Sequence, residues 1–248
     1  MKCAVIGLGY IGLPTAAILA NAGHDVIGID IKQEIINSLI KKKIHINEPG
    51  LSDLLIQKID EKKISFSNNI ESAEVFIITV PTPFIENNSC DIPTPDLSYV
   101  INAANSILKK IKQGNLIILE STSPVGTTEM ISKIIFDKTG LTSKDIHIAY
   151  CPERVIPGNI LNELVENNRV IGGLTIEASQ KAKLFYSTFC KGNLDITNTK
   201  VAELVKLSEN TFRDINIAFS NELSIICEQL KINTLEVIKY SNKHPRVN

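Results

Sequence analysis

The chain has 248 residues, 44% hydrophobic and 21% charged, the balance of an ordinary globular protein with room for one large domain and part of a second. Its 26 basic residues nearly cancel its 27 acidic ones, which leaves no basic field to attract a nucleic acid backbone, so no nucleic-acid partner is expected. Cysteines stand at 3, 90, 151, 190 and 227, an odd number with no CxxC pair, which excludes a disulfide framework and a zinc site and leaves reduced thiols with no metal.

Met1 leads directly into an apolar run with no signal sequence, and no apolar stretch reaches bilayer-spanning length, so the expected location is cytoplasmic with no membrane partner. In chain order, strands are predicted at 2–7, 25–30, 64–67, 75–80, 116–120, 146–150 and 169–172. Helices are predicted between several of them, notably at 13–22, 31–42, 96–112 and 127–138. This alternation predicts an α/β, Rossmann-type, doubly wound and mostly parallel sheet, covered on both faces. The unbroken apolar run Val75-Phe76-Ile77-Ile78 suits a strand buried on both sides.

The texture changes near Asn198. From there to Leu230 there is no Gly or Pro, and apolar residues recur at Val201, Val205, Phe212, Ile215, Phe219, Leu223, Ile226 and Leu230. Steps of three and four predict one helix of about thirty residues, a connector, a dimer surface or the core helix of a second domain. A second helix is predicted at 234–241. The expected division is a dinucleotide-binding domain over 1–197, then the long helix and the start of a dimerisation or linker region over 198–248.

Gly7, Gly9 and Gly12 form a G-x-G-x-x-G turn between the first strand and the first helix. The first glycine permits a tight turn, the second admits a pyrophosphate, and the third lets helix and strand pack closely. The pattern gains weight from Asp30 at the end of the second strand. A carboxylate there accepts hydrogen bonds from a ribose 2′-hydroxyl and repels a 2′-phosphate, which points to NAD rather than NADP. A structural βα turn with a surface aspartate is the plainer alternative. Two later strand ends, Val80-Pro81-Thr82-Pro83 and the segment from Glu120 to Thr128, also lie where ligands collect. Their hydroxyls suit ribose, carboxamide or water binding, and equally suit turn and capping chemistry.

On the long helix, Lys206, Asn210 and Arg213 fall at i, i+4 and i+7, on one face. Such a Lys and Asn can hold a substrate hydroxyl and relay its proton, given a lysine pKa lowered by burial beside other cations. A solvated polar stripe is the alternative.

Together these segments resemble the UDP-glucose/GDP-mannose dehydrogenase family from residue 2 to the last. Beyond the glycine turn, the likeness rests on Glu48-Pro49-Gly50-Leu51, Val80-Pro81-Thr82-Pro83, Ser121-Thr122-Ser123-Pro124-Val125-Gly126 and Tyr150-Cys151-Pro152-Glu153-Arg154. The segment from Lys206 to Asp214 and the terminal Asn242-Lys243-His244-Pro245-Arg246-Val247-Asn248 complete it. The Cys-Pro-Glu-Arg version, with Phe212-Arg213-Asp214 and His244-Pro245-Arg246, is similar to the branch acting on UDP-N-acetyl-D-mannosamine.

The resemblance implies NAD-dependent oxidation of a sugar C6 alcohol to the carboxylate, giving a uronic acid for bacterial surface polysaccharide. It implies NAD contacts from Tyr10, Ile11, Asp30, Thr82 and Thr122. Arg154, Val155, Lys206, Asn210, Arg213, His244 and Arg246 would contact the UDP-sugar, with Lys206 as general acid/base, Asn210 beside it and Glu153 positioning a water. It also implies that the long helix joins two domains and contributes to a homodimer.

The family's thiol nucleophile lies in a glycine-rich Gly-Gly-His-Cys stretch shortly beyond the His-Pro-Arg-Val-Asn segment, and this chain stops before it. None of its five cysteines has that context, and Cys151 is read as a strand-end residue. The expectation is an incomplete product, lacking the C-terminal nucleotide-sugar domain and unable to finish the reaction. Alternatives are UDP-glucose 6-dehydrogenase, a single-oxidation hydroxyacid or 6-phosphogluconate dehydrogenase, and a non-catalytic NAD-binding or regulatory subunit.

Overall fold

The opening apolar run becomes β1 (Lys2–Ile6), and the glycine turn leads into α1 (Gly12–Asn21). The computed structural model describes residues 1–85 and 93–247. They fall into two units, Met1–Lys206 and Leu207–Asn248, with the boundary inside one helix.

The first unit continues with β2 (Asp25–Ile29), α2 (Gln33–Ile40), α3 (Leu51–Asp60), β3 (Ile64–Ser67) and β4 (Val75–Ile78). A short antiparallel pair follows, β5 (Phe84–Ile85) with β6 (Thr94–Pro95), then α4 (Ser98–Ile107), β7 (Leu116–Leu119) and α5 (Thr127–Thr139). The unit closes with β8 (His147–Tyr150), α6 (Ile160–Glu166), β9 (Arg169–Gly173), α7 (Ile176–Tyr186), β10 (Leu194–Asn198) and the start of α8 (Thr199–Leu230).

Eight strands form one sheet in the order β10-β9-β8-β7-β4-β1-β2-β3. β4 and β7 are buried at every position, as central strands covered on both faces must be. The two-residue alternation sorts the side chains. Cys3, Val5, Val75, Ile77, Leu116 and Ile118 pack with α1, α2, α3 and α7, whereas Ala4, Ile6, Phe76, Ile78, Ile117 and Leu119 pack with α4 and α5. Nine of the ten residues of α1 are buried, so this helix is apolar on nearly all sides and anchors the glycine turn from behind. α5 stops at Gly140, whose φ of +73° provides the left-handed turn that ends a helix.

The sheet is mostly parallel, with one departure. β9 pairs antiparallel with β8 and parallel with β10, so the last two strands run against the rest. β9 starts at the carboxyl end of β8, so the connection through α6 does not carry the chain back across the sheet. The predicted helix at 31–42 shortens to α2 because Lys32 is extended and donates its N–H to Asp30 Oδ1 at 2.9 Å.

In the second unit, the rest of α8 is followed by α9 (Thr234–Ser241), capped by Asn233, whose Oδ1 accepts from the Leu235 and Glu236 N–H groups. Phe212, Ile215, Phe219 and Leu230 are exposed. Among the described residues, no helix is long and apolar enough to cross a membrane, and no group of metal-ligating side chains comes together. Cys3, Cys151, Cys190 and Cys227 are buried free thiols. Cys90 and Asn248 lie outside the described residues.

Candidate active site

The chain reverses its direction of travel across the sheet between β1 and β4, and ligands of open α/β sheets bind at the carboxyl ends of strands beside such a switch point. A cleft of about 700 Å³ lies there, within the range of small-molecule sites, lined from Asp30 at one end to Glu120, Thr122 and Glu153 at the other.

Its floor is the glycine turn, where each glycine answers a different constraint. Gly7 has φ +96°, and a Cβ there would stand 2.9 Å from the Thr79 carbonyl oxygen. A Cβ on Gly12 would fall 1.8 Å from the Gly7 carbonyl oxygen, which packs helix against strand. A Cβ on Gly9 would meet nothing within 4 Å, although Gly9 lines the cleft. The protein itself does not require a glycine at position 9; a ligand approaching the backbone would. The start of α1 has no side-chain cap and no acidic residue in its first turn, so its N–H groups and positive dipole end suit a phosphate. A dinucleotide fits this cradle.

The turn is also braced from outside. Asp30 Oδ2 accepts the Leu8 N–H at 2.9 Å, and His45 Nε2–H donates to the Leu8 carbonyl at 2.9 Å. Asp30, which the sequence marks for a ribose, therefore holds the glycine turn as well and lines the cleft. His45 was not legible as a site residue, because nothing in its local pattern shows that it reaches back to Leu8.

At the other end, two loops are laced together. The Thr82 hydroxyl donates to the Thr122 carbonyl at 2.6 Å, and the Ser121 hydroxyl donates to the Val80 carbonyl at 2.6 Å. Thr82 and Thr122 both line the cleft, as do Tyr10 and Ile11. Structural and ligand-facing placement thus coexist here, and Thr82 brings an acceptor rather than its proton to a ligand.

Beneath the cleft lies a buried charge cluster. Glu120 Oε1 accepts from the Tyr186 hydroxyl at 2.6 Å and stands 3.7 Å from Arg169 Nη1. Burial pushes the Glu120 carboxyl above its ordinary range, while Arg169 and Tyr186 pull it back. Cys151, fully buried beside Arg169, has its thiol pushed up to about 11 by burial, which argues against a nucleophile, as the sequence reading expects.

Beside the Glu153 wall of the cleft, two elements far apart in sequence meet. Lys206 Nζ on α8 donates to Glu153 Oε1 at 2.8 Å and to the Glu153 carbonyl at 2.7 Å. Lys206 is buried rather than part of a solvated stripe, and its neighbour is a carboxylate, not a cation. Spacing along a helix gives the face; it does not give what stands opposite.

The Glu153 loop is held by carboxylates that sequence reading assigned no role. Glu48 Oε2 accepts the Gly158 N–H at 2.9 Å and Oε1 accepts the Ile160 N–H at 2.7 Å, filling the start of α6. Glu163 Oε2 accepts the Ile156 N–H at 2.7 Å. The Glu-Pro-Gly motif signalled Glu48 only as a mark of resemblance. Arg154 and Val155 sit half-buried on this loop, outside the cleft lining. Asn210, Arg213, His244 and Arg246 belong to the second unit, where Asn210 is half-buried and the other three are exposed.

A UDP-N-acetyl-D-mannosamine dehydrogenase from Campylobacter jejuni is 49% identical over 255 residues, covering 100% of this chain and 62% of that protein. An NDP-N-acetyl-D-galactosaminuronic acid dehydrogenase from Ralstonia nicotianae is 45% identical over 252 residues, covering 98% of this chain and 58% of that protein. The solved structure of a UDP-D-ManNAc dehydrogenase from Pyrococcus horikoshii superposes with a TM-score of 0.94 at 42% identity, over 99% of this chain and 58% of that one. The chain thus spans 58–62% of these relatives' own lengths. Residues 1–190 match the NAD binding domain of the UDP-glucose/GDP-mannose dehydrogenase family, and residues 200–248 match its central domain. The chain belongs to the UDP-glucose/GDP-mannose dehydrogenase family and carries its NAD-binding domain.

Proposed function

We propose that this chain supplies the cofactor-binding and proton-handling part of an NAD-dependent 6-dehydrogenase that converts UDP-N-acetyl-D-mannosamine to the mannosaminuronate. The product would serve bacterial surface polysaccharide, and the setting would be cytoplasmic. The observation that carries this reading is the Lys206–Glu153 pair, 2.8 Å apart, with Glu153 on the wall of the dinucleotide cleft. NAD, when bound, supplies the hydride acceptor.

Oxidising an alcohol releases the hydroxyl proton as hydride leaves carbon, so the site needs a proton acceptor and a positive charge for the oxygen. The pair has both. Two of the three Lys206 ammonium protons are taken by Glu153, which leaves the third for the substrate oxygen. As Lys206 Nζ passes one of these protons to Glu153 Oε1, its freed lone pair takes the substrate hydroxyl proton, so Lys206 is the general acid/base and the released proton comes to rest on the carboxylate.

Within this reading, Gly7, Gly9, Tyr10, Ile11, Gly12, Asp30, Thr82 and Thr122 form the NAD site. Arg154, Val155, Asn210, Arg213, His244 and Arg246 contact the nucleotide sugar together with Lys206. Residues 1–197 form the NAD domain, and 198–248 begin a linker and dimer region through which two copies pair. The choice of mannosamine over glucose rests on the Cys151-Pro152-Glu153-Arg154 sequence and on the named activity of the Campylobacter jejuni relative.

The test supplies the full-length protein with NAD and either UDP-N-acetyl-D-mannosamine or UDP-glucose, following NADH by absorbance. The N-acetylated sugar should react faster by about tenfold or more, since a site built for polar groups discriminates against their absence. Equal rates would overturn the substrate assignment. NAD binding with no NADH from either sugar would overturn the enzyme reading in favour of a non-catalytic NAD-binding role.

A further inference from the structure

Glu203 is a fully buried carboxylate that the proposed reaction does not use. It stands on α8 about one turn before Lys206 and accepts three hydrogen bonds from the start of α5. Oε2 takes the Gly126 N–H at 2.6 Å; Oε1 takes the Thr128 N–H at 2.8 Å and the Thr128 hydroxyl at 2.7 Å. A buried carboxylate without such donors would be strongly disfavoured, and here it meets the unsatisfied N–H groups and positive dipole end of a thirteen-residue helix.

The contact joins two parts of the site. Gly126 ends the loop that begins at Ser121, and Thr122 in that loop lines the cleft and receives the Thr82 hydroxyl. On the other side, Glu203 and Lys206 are three helical residues apart, roughly 4.5 Å along the axis and on adjoining faces, a short and stiff lever. A shift of α8 against α5 would therefore carry Lys206 away from Glu153, a contact that tolerates little displacement at 2.8 Å.

We propose that Glu203 is a positioning residue that locks α8 to the start of α5, so that Lys206 Nζ reaches Glu153. It sets the reacting pair without touching cofactor or substrate. The inference rests on reading Lys206–Glu153 as the reacting pair. Its test reads the pair's geometry directly, so it can fail while NAD binding and turnover stand, and the converse.

The protein is acetylated with limiting acetic anhydride, and peptide mass spectrometry compares Lys206 with the exposed Lys183. Glu203→Gln keeps the volume but turns an amide NH₂ toward a backbone N–H. Lys206 should then acetylate about tenfold faster relative to Lys183, as expected for a local opening after a buried hydrogen bond is lost. Thr128→Val removes only the hydroxyl contact and should give a smaller rise in the same direction, carrying the test if Glu203→Gln fails to fold. A fall in unfolding midpoint with Lys206 protection unchanged in the folded variants would overturn the proposal and leave Glu203 as a helix cap alone.

Discussion

Gly12→Ala should abolish dinucleotide binding and threaten the fold itself. The new Cβ would fall 1.8 Å from the Gly7 carbonyl oxygen and 2.4 Å from Thr79 Oγ1. Neither neighbour can yield. The Thr79 hydroxyl is committed to the Gly7 carbonyl at 2.8 Å, and Gly7 is fixed by its own positive φ and by the Thr79 backbone. The loss should reach about 4 kcal/mol or more, in the range of severe core overpacking and backbone strain. Gly9→Ala makes the contrast. Its Cβ meets no protein atom within 4 Å, so stability should change by less than about 0.5 kcal/mol, apart from the small Gly-to-Ala entropy gain. Dinucleotide affinity should nevertheless fall at least about tenfold, because the methyl occupies the path of a pyrophosphate. Denaturant unfolding beside calorimetric NAD titration separates the two effects. A Gly9→Ala protein that binds NAD normally would remove the ligand from the explanation of that glycine.

The second large effect is expected at Lys206. Lys206→Met leaves the Glu153 carboxylate, only 16% exposed, without its cation. Breaking one partner of a buried pair costs about 3–5 kcal/mol, and the residual exposure of Glu153 places this case near the lower figure. Lys206→Met/Glu153→Gln removes the stranded charge and should recover most of that stability. Hydride transfer by the full-length protein should not recover: both variants should lose about 10²–10⁴-fold, the usual worth of a positioned acid–base group. A double-mutant cycle on unfolding, run beside NADH formation, tests both halves. Lys206→Met with near-normal turnover would dismiss the pair as merely structural.

These expectations draw on features that differed in how readily the sequence disclosed them. The β1–turn–α1–β2 unit was legible because its determinants are local: three glycines and Asp30 within the first thirty residues, each answering to backbone geometry. α8 and α9 were legible from periodicity and from the absence of Gly and Pro. β10 was not, because Leu-Asp-Ile-Thr-Asn at a sheet edge is half exposed and carries little alternation. The reversed direction of β9 was also hidden, since it depends on where the chain re-enters the sheet rather than on the strand's own residues. The bracing carboxylates were hidden for a related reason. Glu48 reaches donors more than a hundred positions away, and Glu203 reaches donors more than seventy positions away. Nothing in the residues beside either glutamate names those distant donors. Lys206 shows the halfway case, with its helix face readable and its carboxylate partner not.

The most direct test of the central assignment is a side-by-side calorimetric titration of NAD and NADP. The Leu8 and Lys32 N–H groups hold the two oxygens of Asp30 at 2.9 Å each, so the carboxylate is not free to swing out of the cleft. A 2′-phosphate would bring further negative charge against it in a partly desolvated site. NAD should bind, and NADP should bind at least about 100-fold more weakly. Equal affinities, or a preference for NADP, would contradict the assignment of Asp30 and of the cleft built around it.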